Sequence, residues 1–318
     1  MSNVDSPFFE YLRISITDRC NLRCIYCMPP QGIKKIDHSK ILTYEEILEI
    51  VNLCVSEGVY RVRITGGEPL VRKGVENFVS RLRQISEIKD ISLTTNGILL
   101  SEKADLLAKS GLMRVNVSLD SLNPQRYREI TRGGELKQVL NGIEKALEVG
   151  LTPVKINVVL IPGVNEDEIL NFVNLARELP IHVRFIERMP FGNAQETNFV
   201  SQSNIISQII GRCELIPENN TQSGGPASLF SLKEGKGKIG FISSRSNPFC
   251  QSCNRLRLSA EGHLIPCLDS GTGVMVRGKN KTELLEIIRS MGISKRNSQK
   301  KCASFVDASC RSLSSIGG

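Results

Sequence analysis

Up to Phe191 the chain alternates between short segments in which every second residue is apolar and longer segments whose apolar residues follow a helical period. The short segments predict six β-strands, at residues 11–17, 59–65, 90–95, 114–118, 153–160 and 182–187. Helices are predicted between them, the first after Thr43, which has the spacing of a capping box with Glu46. Strands and helices therefore alternate along the first part of the chain.

Six strand–helix repeats with short connections predict a parallel sheet with right-handed crossovers. A closed barrel of this type has eight repeats, so six predict the α/β class and a partial (βα)6 TIM-type barrel. Ligands of such sheets bind at the carboxyl ends of the strands. The polar signatures of this chain lie at those ends, at residues 18–20, 66–68, 94–96, 118–120 and 187–189.

The alternating pattern stops after Phe191, so we predict a barrel domain over residues 1–195 and a C-terminal region over residues 196–318. Residues 201–225 are polar and rich in turn formers, which predicts a loop.

The remaining C-terminal sequence is only partly patterned. Residues 229–232 and 238–243 predict a short hairpin, whereas residues 290–312 are polar, basic and poorly periodic.

Composition narrows the class of protein. The chain has 318 residues with 41 Lys+Arg and 33 Asp+Glu, and the last 42 positions contain nine of the basic and three of the acidic residues. Because most of the excess charge lies in the tail, we expect no general nucleic-acid binding. The tail is either a solvated basic segment or a segment that attracts a polyanionic ligand. No apolar stretch reaches the ~20 residues of a membrane helix and no export signal is evident, so we expect a cytoplasmic protein without membrane contact.

Six of the ten cysteines form two tight groups, Cys20, Cys24 and Cys27, and Cys250, Cys253 and Cys267. In a reducing compartment such groups bind metal more often than they form disulfides. Three thiolates from one loop can hold three corners of a cubane iron–sulfur cluster and leave the fourth iron open. The alternative is a zinc knuckle that takes its fourth ligand from elsewhere. Four cysteines are scattered, at positions 54, 213, 302 and 310.

The first cysteine loop, Asp-Arg-Cys-Asn-Leu-Arg-Cys-Ile-Tyr-Cys at residues 18–27, resembles that of the radical S-adenosylmethionine (SAM) superfamily. The Gly-Gly-Glu-Pro sequence at residues 66–69 is similar to the superfamily's motif for the methionine amine. The second cysteine group, its internal Arg-Leu-Arg at residues 255–257 and the terminal Ile-Gly-Gly resemble the GTP 3′,8-cyclase family of molybdenum cofactor biosynthesis.

This resemblance implies two [4Fe–4S] clusters, one on each cysteine group, with SAM bound to the open iron of the first. The positions that match SAM contacts of the family are Tyr26, Gly67, Ser118 and Met189. Those that match GTP contacts are Arg13, Arg63, Thr94, Lys155, Arg255 and Arg257. Arg13 and Arg63 also lie in mid-strand among alternating apolar residues, where an unpaired charge is uncommon on a buried face, which predicts that they face the barrel lumen. The resemblance also gives catalytic roles to Arg13, Arg63, Gly317 and Gly318.

The implied reaction abstracts hydrogen from ribose C3′ of GTP and joins that carbon to C8 of guanine, yielding 3′,8-cyclo-7,8-dihydro-GTP. The implied partners are a flavodoxin- or ferredoxin-like electron donor, a downstream cyclic pyranopterin monophosphate synthase and a second copy in a homodimer. Two other hypotheses stay open: a peptide-modifying radical SAM maturase with an auxiliary cluster, and a non-enzymatic iron–sulfur or zinc protein that binds nucleic acid.

Overall fold

The computed structural model describes residues 9–189, 198–218, 225–268 and 273–299. The six predicted strands are present as β1 (Tyr11–Ser15), β2 (Arg61–Thr65), β3 (Asp90–Thr95), β4 (Arg114–Ser118), β5 (Val154–Leu160) and β6 (Ile181–Glu187). The helices among them are α1 (Tyr44–Ser56), α2 (Val75–Arg83), α3 (Leu100–Lys109), α4 (Pro124–Thr131), α5 (Leu136–Glu148) and α6 (Ile169–Glu178). Neighbouring strands from β1 to β6 pair in parallel, which confirms the α/β prediction.

The C-terminal region extends this sheet instead of forming a separate one. Its elements are α7 (Gln202–Ile209), β7 (Leu215–Pro217), β8 (Ser228–Leu232), β9 (Lys238–Ile242), β10 (Arg255–Leu258), β11 (His263–Ile265), β12 (Val274–Met275) and α8 (Lys281–Gln299). The twelve strands follow the order β12-β11-β10-β1-β2-β3-β4-β5-β6-β9-β8-β7. Because β10 pairs in parallel with β1 and β9 with β6, the C-terminal region widens the barrel sheet on both sides.

The two faces of the sheet differ in chemistry because successive side chains of a strand point to opposite faces. The row formed by Leu258, Ile14 and Ile64 is fully buried against the helices. The adjacent row, Arg257, Arg13 and Arg63, points to the other face. The apolar core therefore lies between sheet and helices, and the inner face of the barrel is polar.

The capping box predicted for α1 is present. The Thr43 side chain accepts a hydrogen bond from the amide of Glu46, whose carboxylate accepts one from the amide of Thr43 at 2.7 Å. The hairpin predicted before the second cysteine group is also confirmed, as the antiparallel pair β8–β9.

The prediction of a loop over residues 201–225 was wrong where the structure has α7 and β7. Ser201 caps α7 by accepting from the amide of Asn204, and Ile205 and Ile209 bury one narrow face. Eight residues with two buried positions give too short an apolar stripe for sequence periodicity to detect.

The poor periodicity of residues 290–312 also concealed structure, because α8 continues to Gln299. The helix packs on α1 through Leu284, Ile288 and Met291, and the next position of this buried stripe is Lys295. A lysine at a buried position interrupts the apolar pattern that would have indicated the helix. Cys302 and Cys310, like the predicted boundary at residue 195, lie outside the described residues. In the described part of the chain, no helix is long and apolar enough to cross a membrane.

The packing of α8 can be tested with two substitutions on opposite faces. We expect Met291→Ala, at a buried position, to lower the free energy of unfolding by about 2–5 kcal/mol. Ile293→Ala, at a residue that is 54% exposed, serves as the control and should change it by about 0.5 kcal/mol or less. Urea denaturation measures both, and equal effects would contradict the described orientation of α8.

Candidate active site

The first cysteine loop follows β1, and hydrogen bonds between its backbone and the end of α4 hold it in place. The amide of Ile25 donates to the carbonyl of Ile130 at 2.9 Å, and the Arg132 guanidinium donates to the carbonyl of Met28 at 2.8 Å. Within the loop, the amide of Leu22 donates to Cys20 Sγ at 3.4 Å. These bonds hold the loop in place. Its three cysteines are partly buried, and in the described structure none of them forms a disulfide.

The environment of this loop suits an iron–sulfur cluster. Burial, the nearby Asp120 and the two other thiols raise the pKa of Cys24 well above its usual range, so the loop favours a bound cation over three bare thiolates. Among the described residues, no three His, Cys, Asp or Glu side chains converge as ligands of a single ion. In a cubane each cysteine binds a different iron, so three thiols of one loop can hold three corners of a cluster.

The Gly66–Gly67 pair allows β2 to lie directly against this loop. The amide of Gly67 donates to the carbonyl of Thr17 at 2.7 Å, and a Cβ on Gly67 would lie 2.4 Å from the carbonyl oxygen of Arg19. The next residue, Glu68, accepts from the Thr95 hydroxyl at 2.8 Å and the Asn96 amide at 2.7 Å. The two glycines therefore position the loop by close backbone contact.

A cavity of about 250 Å³ runs along the inside of the barrel. It brings together nine of the ten positions predicted to contact SAM or GTP: Arg13, Tyr26, Arg63, Thr94, Ser118, Lys155, Met189, Arg255 and Arg257. The tenth, Gly67, lies behind the cysteine loop and does not line the cavity. The catalytic positions predicted at Gly317 and Gly318 lie outside the described residues.

The cavity is strongly cationic. In the described part of the chain nine Lys and Arg side chains line it, against the carboxylates Asp90 and Glu187. Asp90 is paired with Arg114, whose Nε donates to it at 2.9 Å, and Glu187 accepts from the amides of Arg245 and Ser246. Both carboxylates thus have other partners, and the described lining carries far more positive than negative charge.

The buried cations raise one another's electrostatic energy. Burial, together with the charge of Arg184, lowers the pKa of Lys155 to about 7, and burial with the charge of Arg255 lowers that of Arg257 to about 10. An anionic ligand would reverse these shifts, because opposite charge favours the protonated forms. The cavity is therefore suited to a polyanion.

Arg184 is a cavity residue that the sequence reasoning missed. Its Nη2 donates to Asn116 Oδ1 at 2.8 Å and to Asn157 Oδ1 at 2.5 Å, and its buried Nε has no hydrogen-bond partner among the described residues. The same signal that singled out Arg13 and Arg63, a charge at an alternate position of an apolar strand, was present here and could have identified it. Other missed cations of the lining are Arg61, Arg114 and Arg188.

Polar groups at the carboxyl end of the cavity are oriented by a hydrogen-bond chain. Tyr26 donates from its hydroxyl to Asp120 Oδ2 at 2.8 Å, and Asp120 Oδ1 accepts from the amide of Val159 at 2.8 Å. Deeper in the cavity, the Thr94 hydroxyl is buried and has no hydrogen-bond partner in the described structure. Such an orphaned hydroxyl is expected where a ligand supplies the partner.

The second cysteine group lies at the opposite end of the strands from the first. Cys250 and Cys253 precede β10, whereas Cys267 follows β11, which pairs antiparallel to β10 and so returns to the same end. Since β10 runs parallel to β1, this end is the amino end of β1, and the first group follows its carboxyl end. The five residues of β1 separate the two ends by about 16 Å.

Cys253 differs from Cys24 in its charge environment. Burial raises the pKa of Cys253, but the positive charges of Lys295 and Arg255 outweigh this effect and lower it below its usual range. Phe249, Arg255 and Leu268, which neighbour the second group in sequence, line the cavity. Both cysteine groups therefore adjoin one cavity, at its two ends.

Comparison with known proteins identifies the family of this chain. The model of the radical SAM superfamily matches residues 14–176, and that of Molybdenum Cofactor Synthesis C matches residues 181–301. The chain is 46% identical to the GTP 3′,8-cyclase of Alkaliphilus oremlandii over 100% of each chain. It is 52% identical to the GTP 3′,8-cyclase of Petrotoga mobilis, over 85% of this chain and 84% of the relative.

Among solved structures, the crystal structure of Streptococcus suis SuiB bound to S-adenosylmethionine shares the fold. The TM-score is 0.61 with 17% sequence identity, over 89% of this chain and 64% of SuiB. At this identity the likeness extends to the barrel and not to the substrate.

The close contact at Gly67 gives a prediction. In Gly67→Ala the new Cβ meets the Arg19 carbonyl, so the loop must move and we expect loss of at least half of the iron bound by the first group. Gly163→Ala is the control, since a Cβ there has open space and only the positive φ of 71° opposes the change. Iron analysis in a Cys253→Ala background isolates the first group. Equal iron in the two glycine variants would contradict the role of Gly67.

Proposed function

Since this chain belongs to the GTP 3′,8-cyclase family of radical SAM enzymes, we propose that its cavity converts GTP to 3′,8-cyclo-7,8-dihydro-GTP, the first step of molybdenum cofactor biosynthesis. One observation carries the proposal: Arg257, Arg13 and Arg63 lie side by side on three neighbouring strands, inside a cavity that adjoins both cysteine groups. Like charges opposite one another are unfavourable without an anion between them.

The triphosphate of GTP supplies that anion, with about four negative charges for the guanidinium groups. We assign its binding to Arg13, Arg63, Lys155, Arg255 and Arg257, and add Arg184 as a sixth cation. The Thr94 hydroxyl is assigned to the same substrate because it is buried and lacks a partner in the described structure. Holding GTP at several points restricts C3′ and C8 to a reactive orientation, which is the protein's main contribution to the rate.

The radical SAM family implies a [4Fe–4S] cluster and SAM. We assign the cluster to Cys20, Cys24 and Cys27; when bound, it supplies the electron that cleaves SAM to a 5′-deoxyadenosyl radical. Tyr26, Ser118 and Met189 are assigned to SAM because they line the end of the cavity next to this loop.

Gly67 is assigned an indirect role, since its close contact with the cysteine loop positions Tyr26, which is part of that loop. Within the cavity the side chains of Tyr26, Ser118 and Met189 orient SAM and exclude water.

We assign a second [4Fe–4S] cluster to Cys250, Cys253 and Cys267; these residues would hold it at the end of the cavity assigned to GTP, where it would bind the purine. The two cysteine groups lie beyond opposite ends of β1, a strand about 16 Å long, so we assign SAM to one end of the cavity and GTP to the other. Gly317 and Gly318 complete the proposed site, because side chains are absent from a Gly-Gly segment and it can enter a narrow cavity.

The proposed partners are a flavodoxin- or ferredoxin-like electron donor, a downstream cyclic pyranopterin monophosphate synthase and a second copy of the chain, in the cytoplasm. The nucleic-acid hypothesis is disfavoured because the nine clustered cations line a cavity too narrow for a duplex. The maturase hypothesis has only the fold in its favour.

The reaction is tested by anaerobic incubation of reconstituted protein with GTP, SAM and a low-potential reductant. We expect 5′-deoxyadenosine together with a cyclic GTP product, and transfer of deuterium from C3′-labelled GTP to the deoxyadenosine, measured by mass spectrometry. Cys24→Ala should abolish SAM cleavage, because the first group then has only two thiols. Deoxyadenosine without conversion of GTP would favour the hypothesis of a peptide-modifying maturase. Cleavage of SAM by Cys24→Ala at the wild-type rate would refute the assignment of Cys24 as a cluster ligand.

The cationic row predicts the effect of removing one guanidinium. Arg257→Ala loses a charged hydrogen-bond donor worth about 1.5–3 kcal/mol, so the Kd for GTP should rise about 10- to 100-fold with unchanged iron content. Arg289→Ala is the matched control, because that arginine pairs with Glu57 on the outer surface and should leave the Kd unchanged. Calorimetric titration measures the Kd for GTP of both variants, and equal values would contradict the role of Arg257 in binding GTP.

A further inference from the structure

A buried lysine at the amino end of the cavity has no part in the function proposed above. Lys295 of α8 is 8% exposed. Its ammonium donates to the carbonyl of Pro266 at 2.8 Å and to the carbonyl of Arg255. Pro266 directly precedes Cys267, and Arg255 is two residues after Cys253. One side chain thus joins the two segments that hold the second cysteine group.

The same ammonium acts on the cysteines themselves. It donates a hydrogen bond to Cys253 Sγ, and its charge also acts on Cys267. These two carbonyls and the thiol match the three N–H donors of an ammonium. Within the described part of the chain none of these partners is a carboxylate. A buried cation requires an anion nearby, and carbonyl dipoles do not supply one.

We propose that Lys295 is the counter-ion of the second iron–sulfur cluster and raises its reduction potential. The proposal rests on the assignment of Cys250, Cys253 and Cys267 as ligands. Three thiolates around a [4Fe–4S] core give a negative charge, and one-electron reduction adds another. A fixed cation that donates a hydrogen bond to a ligand sulfur favours the reduced state.

The surroundings of Lys295 strengthen this effect. The ring of Phe9 covers the ammonium, with Nζ 5.4 Å from the ring centroid, and Phe9 is itself buried. Water is therefore largely excluded, and a charge in such surroundings is screened much less than one on the surface. Lys295 acts through the cluster ligands and not on GTP, so it is a positioning residue.

The test uses the full chain with Cys24→Ala, so that the second cluster is the only complete one. Lys295→Met is compared with Lys281→Met, the same substitution at an exposed position of the same helix. A redox titration followed by electron paramagnetic resonance measures the ratio of reduced to oxidised cluster. We expect this ratio to fall at least tenfold at a fixed potential in Lys295→Met, which corresponds to a shift of about 59 mV to more negative potential. Lys281→Met should leave it unchanged.

Two further variants separate charge from packing. Lys295→Arg keeps the charge, so the reduction potential of the second cluster should stay close to that of the protein with Lys295. Lys295→Gln keeps a hydrogen-bond donor without the charge and should lower the potential as Lys295→Met does. If the neutral variants lose iron while Lys295→Arg retains it, the counter-ion role is also supported. Iron loss in all three variants, or an unmoved potential in an iron-loaded neutral variant, overturns it. Absence of iron in the Cys24→Ala parent overturns the second cluster itself, and with it this proposal.

Discussion

A row of like charges across three neighbouring parallel strands is the constraint on which the rest of the structure depends. Arg257, Arg13 and Arg63 lie in register, on a face that in most parallel barrels is filled with branched apolar residues. Guanidinium groups cannot pack together as an apolar core does, so the barrel keeps an open interior. The stability of the sheet must come from its other face, where Leu258, Ile14 and Ile64 are fully buried.

The second consequence is that the C-terminal region is part of the barrel. Strand β10 supplies Arg257 to the row and β9 extends the sheet beyond β6. The six repeats alone would leave both edges unpaired, and edges of parallel strands present unsatisfied backbone groups. Pairing of β10 with β1 also places the second cysteine group at the amino end of the cavity, opposite the first.

The two cysteine sites are held in different ways. The first depends on close backbone contact, in which Gly67 and the end of α4 fix a loop whose thiols are strongly desolvated. The second depends on cations, because Lys295 and Arg255 lie against Cys253 and lower its pKa. The first environment opposes a bare thiolate at Cys24 and the second stabilises one at Cys253, so we expect the two sites to differ in the charge state that each favours.

The sequence by itself determined the six strand–helix repeats, the inward direction of Arg13 and Arg63 and the two cysteine groups, because period-two alternation and local spacing are properties of contiguous residues. It did not reveal α8, since the buried Lys295 interrupts its apolar stripe, and it missed Arg184 although the same alternation was present. Only the tertiary structure decided that β10 lies beside β1, that the cysteine groups lie at opposite ends of one cavity, and that Lys295 reaches Cys253 from 42 positions away in the chain. Those relations depend on strand pairing between distant segments, which no local pattern specifies.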